Sequence, residues 1–377
     1  MAITLAEAKV GMANKIDQKV IETIQRNSRF MDALVFDDAI SPGTGGSTFV
    51  YGYTQLLTPA SASGRVINAE YTPQEAKRTT KTTTLTIMGG SYQIDRALVR
   101  TQNGKIQEVA FQNEQKAKAT AARYQYLAIN GVYDDSSTDP EFDGLSKLLA
   151  GTENEINCGS ITLASIDEAK ALKFDEALRN ALYSIADGKP TMIMANSRLI
   201  TKMTTIAHKL GFYDRTIDAF GNSVVKYDGI ELVDLQQYYN GTNTVDVIPV
   251  RSTAEYRKVT VTSSTFTNNG SFAASADGYL YTESSGTYTK VSSGSYSSST
   301  DYYILVGAAN STDLYAVRIG LDAFCGVTPE GGSIGLETHL PNFNEAKAVH
   351  TGDVELIGGV ALKNTKTAAV LRGIVIA

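Results

Sequence analysis

Cysteine is scarce in this chain of 377 residues. Cys158 and Cys325 are far apart and show no pairing pattern, which excludes a disulfide scaffold and points to reduced thiols in a cytosol. Long apolar runs are absent as well. No stretch approaches the roughly 18 apolar residues that a bilayer-spanning helix needs. Met1 to Val20 is charged and amphipathic, without the apolar centre of a secretory signal. The sequence therefore reads as a protein made and used without crossing a membrane, and the Asn-X-Ser/Thr triplets at Asn240, Asn269 and Asn310 mean only polar loops. Histidine is rare too: His208, His339 and His350 show no His-Glu-X-X-His spacing, and no Cys-X-X-Cys accompanies them, so neither a metal shell nor a cofactor site is expected. Basic charge is not in excess. A net charge of −6 excludes a tight nucleic-acid binder, which needs clustered Lys and Arg to displace counterions from phosphates. It leaves room for a weakly acidic wall that encloses nucleic acid without sticking to it.

What the chain does contain is globular. Hydrophobic residues make up 42% and charged residues 20%, and the length suggests two or three compact units. The most informative stretch runs from Gln102 to Leu149. No proline falls between Asn103 and Asn130, and Ala, Gln, Lys and Glu lose little on entering a helix. Ile106, Val109, Ala110, Ala117, Ala121, Tyr124, Leu127 and Ala128 form one stripe at the helical period. Asn130-Gly131 is expected to supply a left-handed exit. The result is a strut of roughly 25 residues, about 38 Å long, packed along one side. The turn Phe142-Asp143-Gly144-Leu145 follows it.

Upstream, Met12, Ile16, Val20 and Ile24 recur four apart as the apolar face of an N-terminal arm. The cluster Ser41-Pro42-Gly43-Thr44-Gly45-Gly46 lacks the Gly-Lys-Ser/Thr ending of a phosphate-binding loop and reads as a hinge. From Thr48 to Asp95 the pattern is extended. Phe49, Tyr51 and Tyr53 share one side of a strand that returns as a threonine-dominated run from Thr79 to Thr86, broken only by Lys81 and Leu85. A ribbon polar on both faces has no core to sit on, so a neighbouring chain is expected to complete it. Downstream, a helix with Phe174, Leu178, Leu182 and Ile185 on one face ends at Asp187-Gly188-Lys189-Pro190. A buried strand, Thr191 to Ala195, comes next, and then a helix capped by Asn196 or Ser197. Ser252 to Asp301 is rich in Ser, Thr, Gly and Tyr and reads as a small β insertion whose surface could take saccharide, a neighbour or nothing. Apolar runs near Leu314, Val354, Val360 and Ala368 return the chain to a sheet.

Catalytic signatures are weak. Gly331-Gly332-Ser333-Ile334-Gly335 has the form of a nucleophile elbow, but Leu336 to Pro341 does not start a helix. Too little chain follows to carry the acid and histidine partners. Asp134, Asp135 and Asp139 match a calcium loop only in composition. No catalytic residue is assigned.

The order of parts resembles the tailed-phage major capsid proteins of the Hong Kong 97 fold. The carriers are Tyr126 to Gly131 with Phe142 to Leu145, and Asp187-Gly188-Lys189-Pro190-Thr191-Met192-Ile193-Met194. The resemblance implies an α+β chain with an N-terminal arm (1–47), an extended β-hairpin loop (48–90) and a peripheral domain (91–159) holding a spine helix at 103–131. An axial domain (160–251), a β-rich insertion (252–301) and return strands (302–377) follow. It implies a subunit that assembles with itself into hexamers and pentamers, with scaffold and portal partners, around double-stranded DNA bound without sequence specificity. The shell would form in a bacterial cytoplasm and end in the virion. Because the chain opens directly on the arm, the resemblance suggests a separate scaffold or a matured form. Arg65, Glu70, Arg78 and Lys81 are then expected between subunits, setting register and partner, and Gly131, Phe142, Gly144 and Leu145 form the structural turn. Excising 64–86 is expected to abolish particles while the subunit stays folded. A bacterial nanocompartment shell shares the fold but encloses a protein cargo. A secreted adhesin would need a signal, and a hydrolase would need Ser333.

Overall fold

The computed structural model describes residues 28–39, 49–97, 107–134, 136–159, 161–185, 188–210, 214–217, 223–260, 265–266, 268, 274–291, 294–295, 300–329 and 336–377. The amphipathic arm, the glycine cluster at 41–46, Asn269 and the Ser333 motif lie outside them. The described chain forms two compact units, one from Ala33–Leu145 and Gly320–Asn364, the other from Ser28–Asp32, Ser146–Ile319 and Thr365–Ala377.

The first unit is organised by the strand Val349–Leu362. Its first ten residues pair antiparallel with Thr86–Asp95, and its last four with Phe324–Thr328, which in turn pairs parallel with Phe36–Asp38. Leu336–His339 lies along its other edge. Thr86, Met88, Tyr92 and Ile94 are buried while Ile87, Gly89, Ser91 and Gln93 are exposed. This alternation comes from the two-residue period of a strand with one wet face. The long helix, Gln107–Asn130, packs across Thr86–Asp95 and Val349–Leu362. Its burial is uneven. Tyr124, Leu127, Ala128 and Ile129 are almost fully buried, whereas Val109, Ala117 and Ala121 are half-buried and Ala110 is exposed. The expected stripe is therefore buried most deeply towards its C-terminal end, where Tyr124 packs beside Gly326 and Gly358 of the sheet. Ile106 falls outside the described residues. Tyr124 is the pivot: its hydroxyl donates to the Gly359 carbonyl at 2.8 Å, and its ring lies 6.0 Å from Phe36 and 5.6 Å from Phe142. A Cβ at Gly326 would come within 2.5 Å of the Phe36 ring and 3.0 Å of the Tyr124 hydroxyl.

The second unit is built on a seven-stranded sheet in the order Glu155–Asn157, Ala368–Val375, Ser311–Val317, Met192–Ala195, Ile230–Val233, Ser223–Tyr227, Asp214–Ile217. Ser311–Val317 and Met192–Ala195 are buried at every position, as central strands covered on both faces must be. One consequence corrects the triplet at Asn310: its Ser311 and Thr312 are fully buried in a strand and are not part of a polar loop. Helices Glu168–Ser184 and Ser197–Leu210 pack on this sheet through Phe174 and Leu178, and through Leu199, Met203 and Ile206. Both start on side-chain caps. Asp167 accepts from the Lys170 amide at 2.8 Å, and Asn196, not Ser197, accepts from the Arg198 amide at 3.0 Å.

A four-stranded antiparallel sheet, Glu255–Val259, Tyr302–Gly307, Leu280–Ser284, Thr287–Lys290, belongs to the same unit. It takes in a strand beyond Asp301. Leu280, Tyr302 and Ile304 are buried on one face. On the other, Tyr256 stacks on Tyr288 at 3.9 Å, with Tyr281 and Tyr303 edge-on at 5.0 and 5.2 Å. The tyrosine richness of this stretch is thus largely spent on ring-to-ring packing, which gives a thin sheet a second cohesive face.

Candidate functional site

The hairpin Val50–Thr58 and Lys77–Thr84 carries two of the four residues expected between subunits, Arg78 and Lys81, and leads to the other two, Arg65 and Glu70, at its tip. Its strands pair from Val50 opposite Thr84 to Thr58 opposite Lys77. The base is firmly seated, contrary to the expectation that the ribbon has no core beneath it. Tyr53, Thr83 and Leu85 are buried, and Tyr53 and Leu85 cluster with Ala39, Cys325, Val327 and Ala361. Gln55 donates to the Leu362 carbonyl and the Tyr51 hydroxyl donates to Asp37, each at 2.7 Å. Lys363 bonds the same Asp37 carboxylate and lies 5.5 Å from the Tyr51 ring. Burial, with the Asp37 charge beside it, pushes the Tyr51 phenol up to about 12. On Lys363, burial works against the ammonium, but Asp37 and Tyr51 outweigh it and raise its pKa. This anchor was not visible in the sequence. Asp37 and Lys363 are charges far apart in the chain with no local pattern to pair them, and only the Phe49–Tyr51–Tyr53 alternation hints at a buried side.

Beyond Thr58 the hairpin is bare. Residues 58–78 are exposed except for half-buried Ala69, and the apex shows Val66 75% and Ile67 90% exposed. Arg65 folds back inside the apex, donating to the Ala69 carbonyl at 3.3 Å, with its guanidinium 5.5 Å from the Tyr71 ring centre. Glu70, Arg78 and Lys81 are exposed and make no ion pair with the described residues. The four are therefore not one cluster: Arg65 and Glu70 flank the apex, and Arg78 and Lys81 lie on the returning strand.

The other expected feature is the turn after the long helix. Gly131 still donates to the Leu127 carbonyl at 2.9 Å, and its own carbonyl accepts from the Gly144 amide at 2.9 Å. Gly131 is not among the positive-φ glycines, so the left-handed exit is not what ends the helix. Glycine is required there for closeness: a Cβ at 131 would sit 2.2 Å from the Phe142 carbonyl, and one at 144 would sit 2.4 Å from the Leu127 carbonyl. Phe142 and Leu145 are fully buried beside them. At the exposed side of the exit, Asp134 accepts from the amide and hydroxyl of Ser136, and Asp139 pairs with Arg123 at 2.6 Å.

The second unit holds a buried ionic network that sequence reasoning missed. Arg372 bridges Glu155 and Asp313, each at 3.0 Å. Arg251 grips Asp313 with two bonds of 2.8 and 2.7 Å and also pairs with Glu255, while Arg257 grips Glu155 with two of 2.7 Å. Burial alone would raise the Asp313 carboxyl, yet Arg251, Arg372 and the Gly373 amide hold it at about 2. Burial pushes Cys158 up to about 12 and Cys325 up to about 11, which makes both thiols poor nucleophiles. Among the described residues no group of acidic, His and Cys side chains could hold a metal, and no helix is long and apolar enough to cross a membrane.

The fold of the chain is similar to that of two solved shell proteins. The SrpI encapsulin of Synechococcus elongatus PCC 7942 superposes with a TM-score of 0.51 at 13% identity, over 99% of this chain and 96% of that one. The mature capsid protein of bacteriophage PhiM1 does so with 0.51 at 11% identity, over 98% of both chains. The fold is the α+β fold of Hong Kong 97 type, the class of capsid shell subunits. No curated protein matches the sequence. Residues 6–230 match the family described as SU10 major capsid protein, and the chain belongs to that family.

Proposed function

We propose that this major capsid protein is the head subunit of a tailed bacteriophage, closing as hexamers and pentamers into an icosahedral shell around double-stranded DNA. The observation that carries the reading is the hairpin, anchored at its base and exposed over its last turns, with Val66 and Ile67 bare at the apex. Such an arm gains nothing in an isolated subunit. Contacts between copies that repeat around a closed ring convert a modest interface into a stable particle. On this reading the hairpin is the extended loop that reaches over a neighbour. Gln107–Asn130 is the spine helix of the peripheral domain, 160–251 the axial domain at the capsomer centre, and 252–301 an outward insertion. Scaffold and portal proteins assist assembly in the host cytoplasm. A net charge of −6 suits a wall that contains DNA without gluing it.

The test is excision. Removing 64–86 would also delete buried Thr83, Leu85 and Thr86, so the cut belongs at 60–75, replaced by a short Gly-Ser turn. Electron microscopy is expected to show folded subunits and no closed particles, and normal particles would overturn the reading. The encapsulin likeness favours one rival, a shell around protein cargo. The contents of purified particles, nucleic acid or enzyme, decide between the two.

A further inference from the structure

The hairpin apex is more ordered than its exposure requires. Val66 to Ala69 forms a β-turn closed by the Ala69 amide donating to the Val66 carbonyl at 3.1 Å, with Asn68 at φ 70° in its third position. A positive φ there is the signature of a type II turn, and Asn is among the few residues besides glycine that accept it. Arg65 then closes the turn from outside by its hydrogen bond to Ala69 and its stacking on Tyr71. Nothing else in the described chain holds this segment, which is flanked by exposed residues on both sides. The turn holds Val66 and Ile67, the most exposed adjacent pair of large apolar side chains among the described residues.

We infer that Arg65 and Tyr71 form a clip within one subunit that pre-organises the apex as an apolar plug for a second copy of the chain, so that Arg65 acts as a positioning residue and not as a charge facing its neighbour. The inference rests on the assembly reading above. Its physical content is entropic. A loop already in its bound shape loses less freedom on docking, and the benefit recurs at each copy of the contact. A cation stacked on an exposed ring is a weak clasp, so each clip should change the contact by about two- to fivefold.

The experiment compares Arg65→Ala, Tyr71→Ala, the double variant and Tyr71→Phe in the full-length chain. It measures the protein concentration at which particles appear and the rate of thermolysin cleavage of the free subunit between residues 64 and 68. The clip predicts that Tyr71→Ala raises the threshold and speeds cleavage two- to fivefold. It further predicts that Arg65→Ala matches it, that the double variant is no worse than either single one, and that Tyr71→Phe restores both readouts by keeping the ring. A charge acting across the interface predicts instead that Arg65→Ala impairs assembly while Tyr71→Ala changes neither readout, and that result would overturn the clip. Additive losses in the double variant would overturn it as well. Failure of the parent reading looks different, since the 60–75 excision would then leave particles intact.

Discussion

Asp313 is the residue on which the second unit's electrostatics turn. It is buried, it is shared by Arg251 and Arg372, and it stays ionised where an isolated buried carboxyl would not. Its folded pKa of about 2 is below the ordinary 3.8, so the stabilisation it contributes is fully present above about pH 4. That stabilisation is lost as the pH falls from about 4 towards about 2. Acid unfolding followed by circular dichroism should therefore show a transition in that window. Asp313→Asn should remove this part of the pH dependence and cost roughly 3–5 kcal/mol in denaturant unfolding, because two guanidiniums lose their shared partner. None of this was readable from the residues in line. Arg251, Asp313 and Arg372 are unremarkable single charges in sequence, and only the sheet pairing of Ser311–Val317 with Ala368–Val375 brings two of them side by side.

Among the elements, the long helix and its turn show what local pattern can and cannot tell. The absence of proline and the wealth of helix formers settled that a helix lies here, and the Phe142-Asp143-Gly144-Leu145 motif marked a turn. The mechanism of the exit is not legible there. A glycine after Asn reads as a left-handed cap, whereas the real constraint is the approach of a second backbone segment that sequence spacing does not encode. This difference can be tested. Gly144→Ala leaves local conformation permissible but forces a methyl against the Leu127 carbonyl, so it should destabilise the first unit by roughly 1–3 kcal/mol, seen as a lower denaturant midpoint. A substitution that only disturbed a left-handed cap would cost about 1 kcal/mol at Gly131 and nothing at Gly144. The hairpin shows the opposite error. Its threonines suggest two wet faces, yet alternate residues at its root are covered, since Thr and Leu both pack well against the neighbouring sheet that contains 324–328 and 349–362.

For the whole molecule, the fold was legible as an order of parts, because helix, hairpin and glycine turns leave local marks. What the parts rest on was not, because it depends on pairs hundreds of residues apart. Charge belongs to this scale too. Arg78 and Lys81 stand exposed on the returning strand without ion pairs among the described residues, so reversing both to Glu should not affect folding of the subunit. It should slow particle formation at low salt and flatten its salt dependence, measured by light scattering across a range of ionic strength, since exposed charges guide encounter more than they hold a complex.

The seat of the hairpin also has a mechanical meaning. Tension applied at the apex runs down two strands into the rung formed by Gln55 and Leu362 and the Asp37–Lys363 tie, and so reaches the end of Val349–Leu362. That strand is hydrogen-bonded lengthwise to Thr86–Asp95 along ten consecutive positions. A load directed along that strand stretches many ladder bonds together in shear instead of peeling them one by one, so the arm can bear such strain without unravelling the body that carries it.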